Sequence, residues 1–399
     1  MQRRILIGLL ASFVGLPVTA QSADELVRMA LDGSPALAAL REGVAAAREM
    51  ERPATALPDP MVEGMLQNEE FPDYTVGRMP MSMIGVEIRQ PLPYPGKRRA
   101  RGEAAEAETA LRAARIAALE SRITSEVRVL YGQIYAIDRE RQALTAAHEL
   151  VDLLSATAAS RYASGGTEQE AVIKAQLQVS RLGEQIEDLE GERAARAAEL
   201  GRWLGRPIDL PEITELPKVS FEALTEPASA DIEVARAAVA LAERRLAVAR
   251  LDLKPDFSPS AGLAGRGPLG AVLTLRFGVE LPFWKESKQE PLIRAAEREL
   301  EMARQELRDA EAVAASDAAR LAARWQQAER QVTRFREAIV PQSSTALDAA
   351  RSSYLAARGD FSTVIEDFSL WLEARTQLAR READLYTTWA ELQRLRSQP

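Results

Sequence analysis

The sequence contains no cysteine and one histidine, and aromatic residues make up only 5% of its 399 positions. Without cysteine there is no disulfide, thiolate metal site, iron–sulfur cluster, cysteine nucleophile or lipid carried on cysteine. One histidine excludes a multi-histidine zinc site, though not a Ser–His–Asp triad. A formal charge of −8 leaves no broad basic field for nucleic acid. Serines are scattered and no phosphate-cradling glycine loop is present, so the chain is read as neither an enzyme nor a cofactor carrier. Long hydrophobic runs are also missing. The longest, Ile5 to Leu16, is too short for the ~20 residues of a membrane span. It follows Arg3 and Arg4 and precedes the small residues Val18-Thr19-Ala20, the pattern of a secretory signal peptide cleaved after Ala20.

What is abundant is alanine, leucine, glutamate and arginine, the composition of long packed helices. Short helices are expected over Ala23–Leu31 and from Ser34-Pro35 to about Arg52, where Pro53 and Pro58 stop the second. From about Lys97 to Ala163 there is no proline, and Val127, Leu130, Ile134, Ile137, Leu144, Val151 and Leu154 recur at a 3-4 spacing. That is a coiled-coil-like seam on a helix of roughly 100 Å. Gly165-Gly166 breaks it, and Thr167 with Glu170 forms a capping box for a return helix to about Leu204. Pro207, Pro211, Pro217 and Pro227 mark a non-helical connector.

The organisation then repeats: a helix over Asp231–Leu253, a strand pair, a long helix from Glu286 to Leu355 bent near Pro341, a break at Gly359, and a last helix to about Arg396. Leu57-Pro58-Asp59 answers to Lys254-Pro255-Asp256, Gly85-Val86-Glu87 to Gly278-Val279-Glu280, and Tyr162 to Tyr354, at an offset of roughly 190 residues. The expected division is therefore 1–20 signal peptide, 21–204 first repeat, 205–229 connector and 230–399 second repeat.

All four strand-like runs (Met61–Gln67, Met83–Gln90, Asp256–Gly265 and Ala271–Leu281) alternate between one apolar and one polar face. Such strands suit a membrane barrel, with lipid outside and water inside, or a periplasmic sheet covered by a helical layer. The length of the helices, and Tyr94, Phe283 and Trp284 placed where strands become helices as a membrane-interface belt, favour the barrel. Four strands cannot close one, because single-chain barrels begin at about eight strands, so a barrel must be shared between subunits.

The tandem duplication, the Gln90-Pro91-Leu92-Pro93-Tyr94-Pro95-Gly96-Lys97-Arg98 segment and the tyrosine-containing helix turns resemble the TolC-type outer-membrane efflux proteins. With Leu57-Pro58-Asp59-Pro60 and Met79-Pro80-Met81-Ser82-Met83 they resemble the heavy-metal branch of that family. The resemblance implies a mainly α fold with a small β part. Long helical hairpins would form a trimeric periplasmic α-barrel, and four strands per chain would enter a twelve-stranded outer-membrane β-barrel. It implies an exit duct in the outer membrane with a periplasmic extension, working with a periplasmic adaptor protein and an inner-membrane pump of the RND class. Heavy-metal cations are the expected cargo. Drug efflux, type I protein secretion and a purely structural periplasmic coiled coil are the alternatives.

Candidate residues follow. Met61, Met65, Met79, Met81 and Met83, which strand parity places together on the lumen-facing side of a regular hairpin, offer thioethers, soft ligands that suit Cu(I) or Ag(I), or else adaptable packing at a barrel mouth. Glu63, Glu87, Arg89, Arg276 and Glu280 would line a barrel interior, either as carboxylate rings that favour cations or as a hydrated, acid–base-paired wall. By the resemblance, Tyr162, Gly165, Gly166, Thr167, Tyr354, Gly359 and Asp360 fall on the two helix-hairpin tips that meet the adaptor. Asp360 also reads as a helix N-cap. His148 falls on the long seam and reads as packing. Arg98, Arg99 and Arg101, just past the strand exit, read as solvated charges or as partners of lipid phosphate.

Overall fold

The computed structural model describes residues 22–70, 72, 74–164, 169–221, 227–356 and 358–396. The expected signal peptide, Gly165, Gly166 and Thr167 lie outside the described residues. In chain order the elements are α1 (Ala23–Gly33), α2 (Pro35–Thr55), β1 (Met61–Gln67), β2 (Met83–Arg89), α3 (Lys97–Ala163), α4 (Gln169–Leu204), α5 (Ala230–Leu251), β3 (Asp256–Gly265), β4 (Ala271–Glu280), α6 (Gln289–Arg334), α7 (Val340–Leu355) and α8 (Phe361–Arg394). Ser22 and Glu25 form a reciprocal capping box on α1, and the Ser229 hydroxyl accepts from the Ile232 amide to start α5. The long helix α3 begins and ends where its proline-free seam predicts.

Two helix boundaries differ from expectation. Pro53 does not end α2, which runs on to Thr55. Proline removes one backbone donor, and this near the C-terminus little of the helix depends on it. Before Pro341 the chain forms a π-helical segment, Phe335–Ile339, between α6 and α7. One extra residue in the turn accommodates the proline ring and its missing N–H without ending the rod.

The chain forms two compact units, each drawn from both repeats. Of the described residues, the first combines those within 1–34, 123–222 and 321–391, and the second those within 35–122, 223–320 and 392–399. In the first unit every seam residue of α3 named above is buried. Val151 and Leu154 join Leu182 of α4, Leu347 and Tyr354 of α7, and Val364 and Phe368 of α8 in one apolar core. The prolines of residues 205–221 keep that stretch non-helical, and it is anchored to α3 and α4. Asp138, wholly buried, accepts from Arg193 Nε at 2.6 Å and from the Ile213 amide at 2.8 Å. Arg193 also donates to the Leu210 carbonyl at 2.8 Å.

The second unit holds the sheet and a smaller helical core, in which Ala242 and Leu246 of α5 pack with Ala296, Leu300 and Ala303 of α6. The sheet has the order β1-β2-β3-β4, antiparallel throughout. The pairing of β2 with β3 joins the two repeats, with Glu87 opposite Gly262 and Arg89 opposite Ser260.

Candidate functional site

Strand register sorts the side chains by face. Met61, Glu63, Met65 and Gln67 of β1 stand opposite Arg89, Glu87, Gly85 and Met83 of β2. Ser260 and Gly262 of β3 continue that face, and β4 completes it with Arg276, Thr274 and Glu280. The other face carries Val62, Leu66, Ile84, Val86, Ile88, Leu263, Leu273, Leu275, Phe277 and Val279. The alternation expected from the sequence is therefore kept across all four strands.

Burial on this sheet is inverted relative to a soluble protein. Glu87 and Ser260 on the polar face are buried, with Glu87 only 4% exposed. On the apolar face Leu275 is 73% exposed and Phe277 68%. A large apolar side chain left in water forgoes roughly 1.5–3 kcal/mol of burial, and ten of them stand on one face. Among the described residues no helical layer covers that face, so the covered-sheet reading of the strands does not hold. A contiguous patch of this kind marks contact with lipid or another protein. No described helix is long and apolar enough to cross a membrane.

The polar face is knit by ions. Glu87 pairs with Arg276 and, at 3.8 Å, with Arg89, which also reaches Glu63 at 3.4 Å. Two carboxylates and two guanidiniums thus neutralise one another across β1, β2 and β4. Glu280 is exposed and stands opposite Asp256. Of the five methionines, Met61, Met65 and Met83 share the polar face. Met79 and Met81 lie in the β1–β2 connection, where strand parity does not apply, and both are exposed. That connection approaches the β3–β4 turn closely: a Cβ on Gly267 would lie 2.8 Å from Gly77 Cα. Both glycines have positive φ, so neither position tolerates a side chain. Among the described residues no three His, Cys, Asp or Glu side chains are grouped as a metal site.

The proline-rich segment after β2 ties strand to helix. Leu92 and Phe257 exchange backbone hydrogen bonds at 2.7 and 2.9 Å. The Tyr94 amide donates to Asp256 Oδ1 at 2.7 Å, and the buried Lys97 ammonium sits 2.8 Å from the same oxygen. Lys97 also donates to the Lys254 carbonyl at 3.0 Å. Sequence reasoning singled out this motif but not Lys97 as its anchor. Phe283 and Trp284 are nearly free of contacts, Trp284 being 78% exposed, and Tyr94 is half-buried.

At the hairpin ends in the first unit, Tyr162 is exposed but Tyr354 is 2% exposed. The two answer to each other in the repeat yet are placed differently. The Tyr354 ring packs edge-on against Phe361 and lies 4.5 Å under the Arg161 guanidinium, so it is no surface contact. Arg161 also donates to the Leu355 carbonyl at 3.1 Å. Gly359 sits in a tight spot: a Cβ there would lie 3.0 Å from Ser353 Cβ and 3.1 Å from the Tyr354 nitrogen, so a side chain would have to push its neighbours aside by a few tenths of an ångström. Asp360 immediately precedes α8 and is exposed, and His148 is half-buried on α3.

Residues 26–206 match the family model described as outer membrane efflux protein. No curated protein sequence matches the chain. Its fold is that of several solved channels. The outer membrane protein VceC from Vibrio cholerae aligns over 94% of this chain and 95% of its own, with a TM-score of 0.79 and 18% identity. CusC, whose structures are described with folding and transmembrane channel formation, aligns over 99% and 98%, with a TM-score of 0.77 and 16% identity. The CmeC outer membrane channel of Campylobacter jejuni aligns over 99% and 93%, with a TM-score of 0.77 and 12% identity.

Proposed function

We propose that this chain belongs with the outer membrane efflux proteins, as a channel subunit rather than an enzyme, and is one third of a trimeric exit duct for heavy-metal cations. Three copies of the four-stranded sheet close a twelve-stranded barrel in the outer membrane, apolar face to lipid and polar face to water. The α3–α4 and α7–α8 hairpins form the periplasmic α-barrel, and the two sequence repeats are the duplicated halves of that architecture. Their ends, at Tyr162, Gly165, Gly166, Thr167, Gly359 and Asp360, meet a periplasmic adaptor, which couples the duct to an inner-membrane RND pump. Tyr94, Phe283 and Trp284 sit at the membrane–water boundary.

The observation that carries the duct is the inverted sheet. The ion-paired Glu87 is buried on one face with Ser260, ten large apolar residues stand open on the other, and β1 and β4 present free edges. A sheet with two open edges and an uncovered apolar face is complete only when neighbours pair its edges and lipid covers its outside. Metal cargo is favoured by the thioethers of Met61, Met65 and Met83, which share the polar face with Glu63 and Glu87. A second reading, passage of drug-like solutes, is favoured by the local charge balance at Glu63 and Glu87, which Arg89 and Arg276 neutralise.

The test is growth of a deletion strain, complemented or not, on copper, silver, zinc, cobalt, cadmium and several lipophilic drugs. Sensitivity confined to metals supports metal export and identifies the ion. Sensitivity to drugs alone overturns the cargo while leaving the duct. Fractionation tests the duct itself: the reading requires a heat-sensitive trimer in the outer membrane, and a protein released in soluble periplasmic extract refutes it.

A further inference from the structure

Where β2 passes into α3, the second unit contains a cavity of about 680 Å³ lined by Thr55, Leu57, Leu92, Pro93, Tyr94, Pro95, Gly96, Arg98, Arg99 and Phe257. Its two ends differ chemically. Phe257 lies on the apolar face of β3, directly opposite the outward-facing Val279, and Leu92 is bridged to it. The apolar end of the cavity is therefore continuous with the face assigned above to lipid. The other end carries two guanidiniums. Arg98 Nε donates to the Thr55 carbonyl at 2.7 Å, which fixes the stem of the side chain at the rim. Among the described residues no carboxylate pairs with Arg98. Arg99 is largely exposed, and its one carboxylate neighbour, Glu103, is 3.5 Å away. Lys97, the third cation of the run, is buried in its pair with Asp256 and takes no part.

We infer that this cavity is a binding site for an anionic glycerophospholipid of the periplasm-facing leaflet. The inference rests on the barrel reading above. One acyl chain lies along Leu57, Leu92, Pro93 and Phe257, continuing the lipid layer that covers the sheet. The phosphate sits between Arg98 and Arg99, whose planar donor arrays match phosphate oxygens. A bare apolar groove would accept any acyl chain. The two guanidiniums at the end where strands become helices, at headgroup depth, give the site its preference for negative charge. One lipid binds per chain and helps set the depth of the barrel.

The test uses the full-length trimer, purified in neutral detergent and stripped of lipid, with native mass spectrometry as readout. Phosphatidylglycerol, phosphatidylcholine and inorganic phosphate are the probes. Phosphatidylglycerol should be retained at one copy per chain and phosphatidylcholine much less. Arg98→Gln with Arg99→Gln should lower phosphatidylglycerol retention about tenfold, the loss of charge-assisted contacts to phosphate. Because Arg98 also holds Thr55, Arg99→Gln alone is the second variant: it touches no backbone carbonyl and should still weaken retention. Arg101→Gln, outside the cavity, should change nothing. Equal retention of the two lipids, full retention by both Arg variants, or displacement of phosphatidylglycerol by millimolar inorganic phosphate overturns the proposal. If the wild-type protein forms no heat-sensitive trimer in the outer membrane, the barrel reading fails instead. If it does and retention is unselective, only the lipid site fails.

Discussion

Arg193 of α4 donates through Nε to the fully buried Asp138 of α3 at 2.6 Å, and through Nη2 to the carbonyls of Leu210 and Pro211 at 2.8 and 3.2 Å. With the Ile213 amide on the second carboxylate oxygen, this pair is the clasp that holds the proline-rich connector against the hairpin. Removing one partner of a buried pair strands the other. Asp138→Ala should therefore lower stability by roughly 3–5 kcal/mol, and Asp138→Asn, which keeps an acceptor for Ile213, by less. Limited proteolysis checks the location of the effect as well as its size. New cleavage should appear at residues 205–221 before the helices are cut. Uniform digestion would mean the pair does not anchor the connector.

A second ion pair does comparable work at the strand–helix junction. Lys97 is buried against Asp256, which also accepts the Tyr94 amide. Asp256 keeps about a third of its side chain exposed, so solvent offsets part of the loss when Lys97 is removed. Lys97→Met should cost about 1–3 kcal/mol and lower the temperature at which the proposed trimer dissociates on gels. Asp256→Asn should do the same. The double variant should cost less than the sum, since both remove one interaction, and strict additivity would show that the two act separately.

Much of the fold was legible because long patterns are hard to counterfeit. The span of α3 follows from a proline-free stretch with a 3-4 seam, and the strand faces from period-two alternation. What stayed hidden depends on contacts between distant segments. That β2 pairs with β3 across the repeats is a matter of tertiary register, and nothing local to either strand encodes it. Asp138 looks in sequence like any solvated helix charge, and only the returning connector buries it. Tyr162 and Tyr354 occupy equivalent repeat positions, yet Arg161 and Phe361 enclose the second alone. The π segment before Pro341 shows the same limit: the proline marks a disturbance, but the local hydrogen-bond register decides its form.

The first unit should be alkali-labile. Burial raises the phenol pKa of Tyr131 and lifts those of Tyr135 and Tyr386 well above the ordinary value, and for Tyr135 the hydrogen bond to Glu382 adds to the effect. In the unfolded chain these phenols ionise near pH ~10, whereas in the folded protein they stay protonated. Their contribution is therefore complete below about pH 10 and is lost as pH rises above it, at about 1.4 kcal/mol per pH unit for each of Tyr135 and Tyr386. Thermal melts between pH 8 and pH 11.5 should show a plateau and then a fall (these bounds are on the order of two units about the unperturbed value). Tyr135→Phe should reduce the slope of the fall. An unchanged slope would mean that Tyr135 already ionises in the folded state.

The charge lattice on the sheet makes the sharpest prediction about conduction. Glu87 is held between Arg276 and Arg89, and Arg89 also serves Glu63, so the four charges cancel. A balanced wall should discriminate weakly between small cations and anions. In a trimer, Glu87→Gln removes three negative charges from one level of the lumen and leaves the guanidiniums of Arg276 uncompensated. Reversal potentials in planar bilayers under a salt gradient should then shift toward anion selectivity. Arg276→Gln should shift them the opposite way, and raising the salt should shrink both shifts as the charges are screened. Shifts of the same sign in the two variants would point to a change in pore shape. No shift in either would place this face away from the conducting path and count against the orientation of the sheet on which the duct is built.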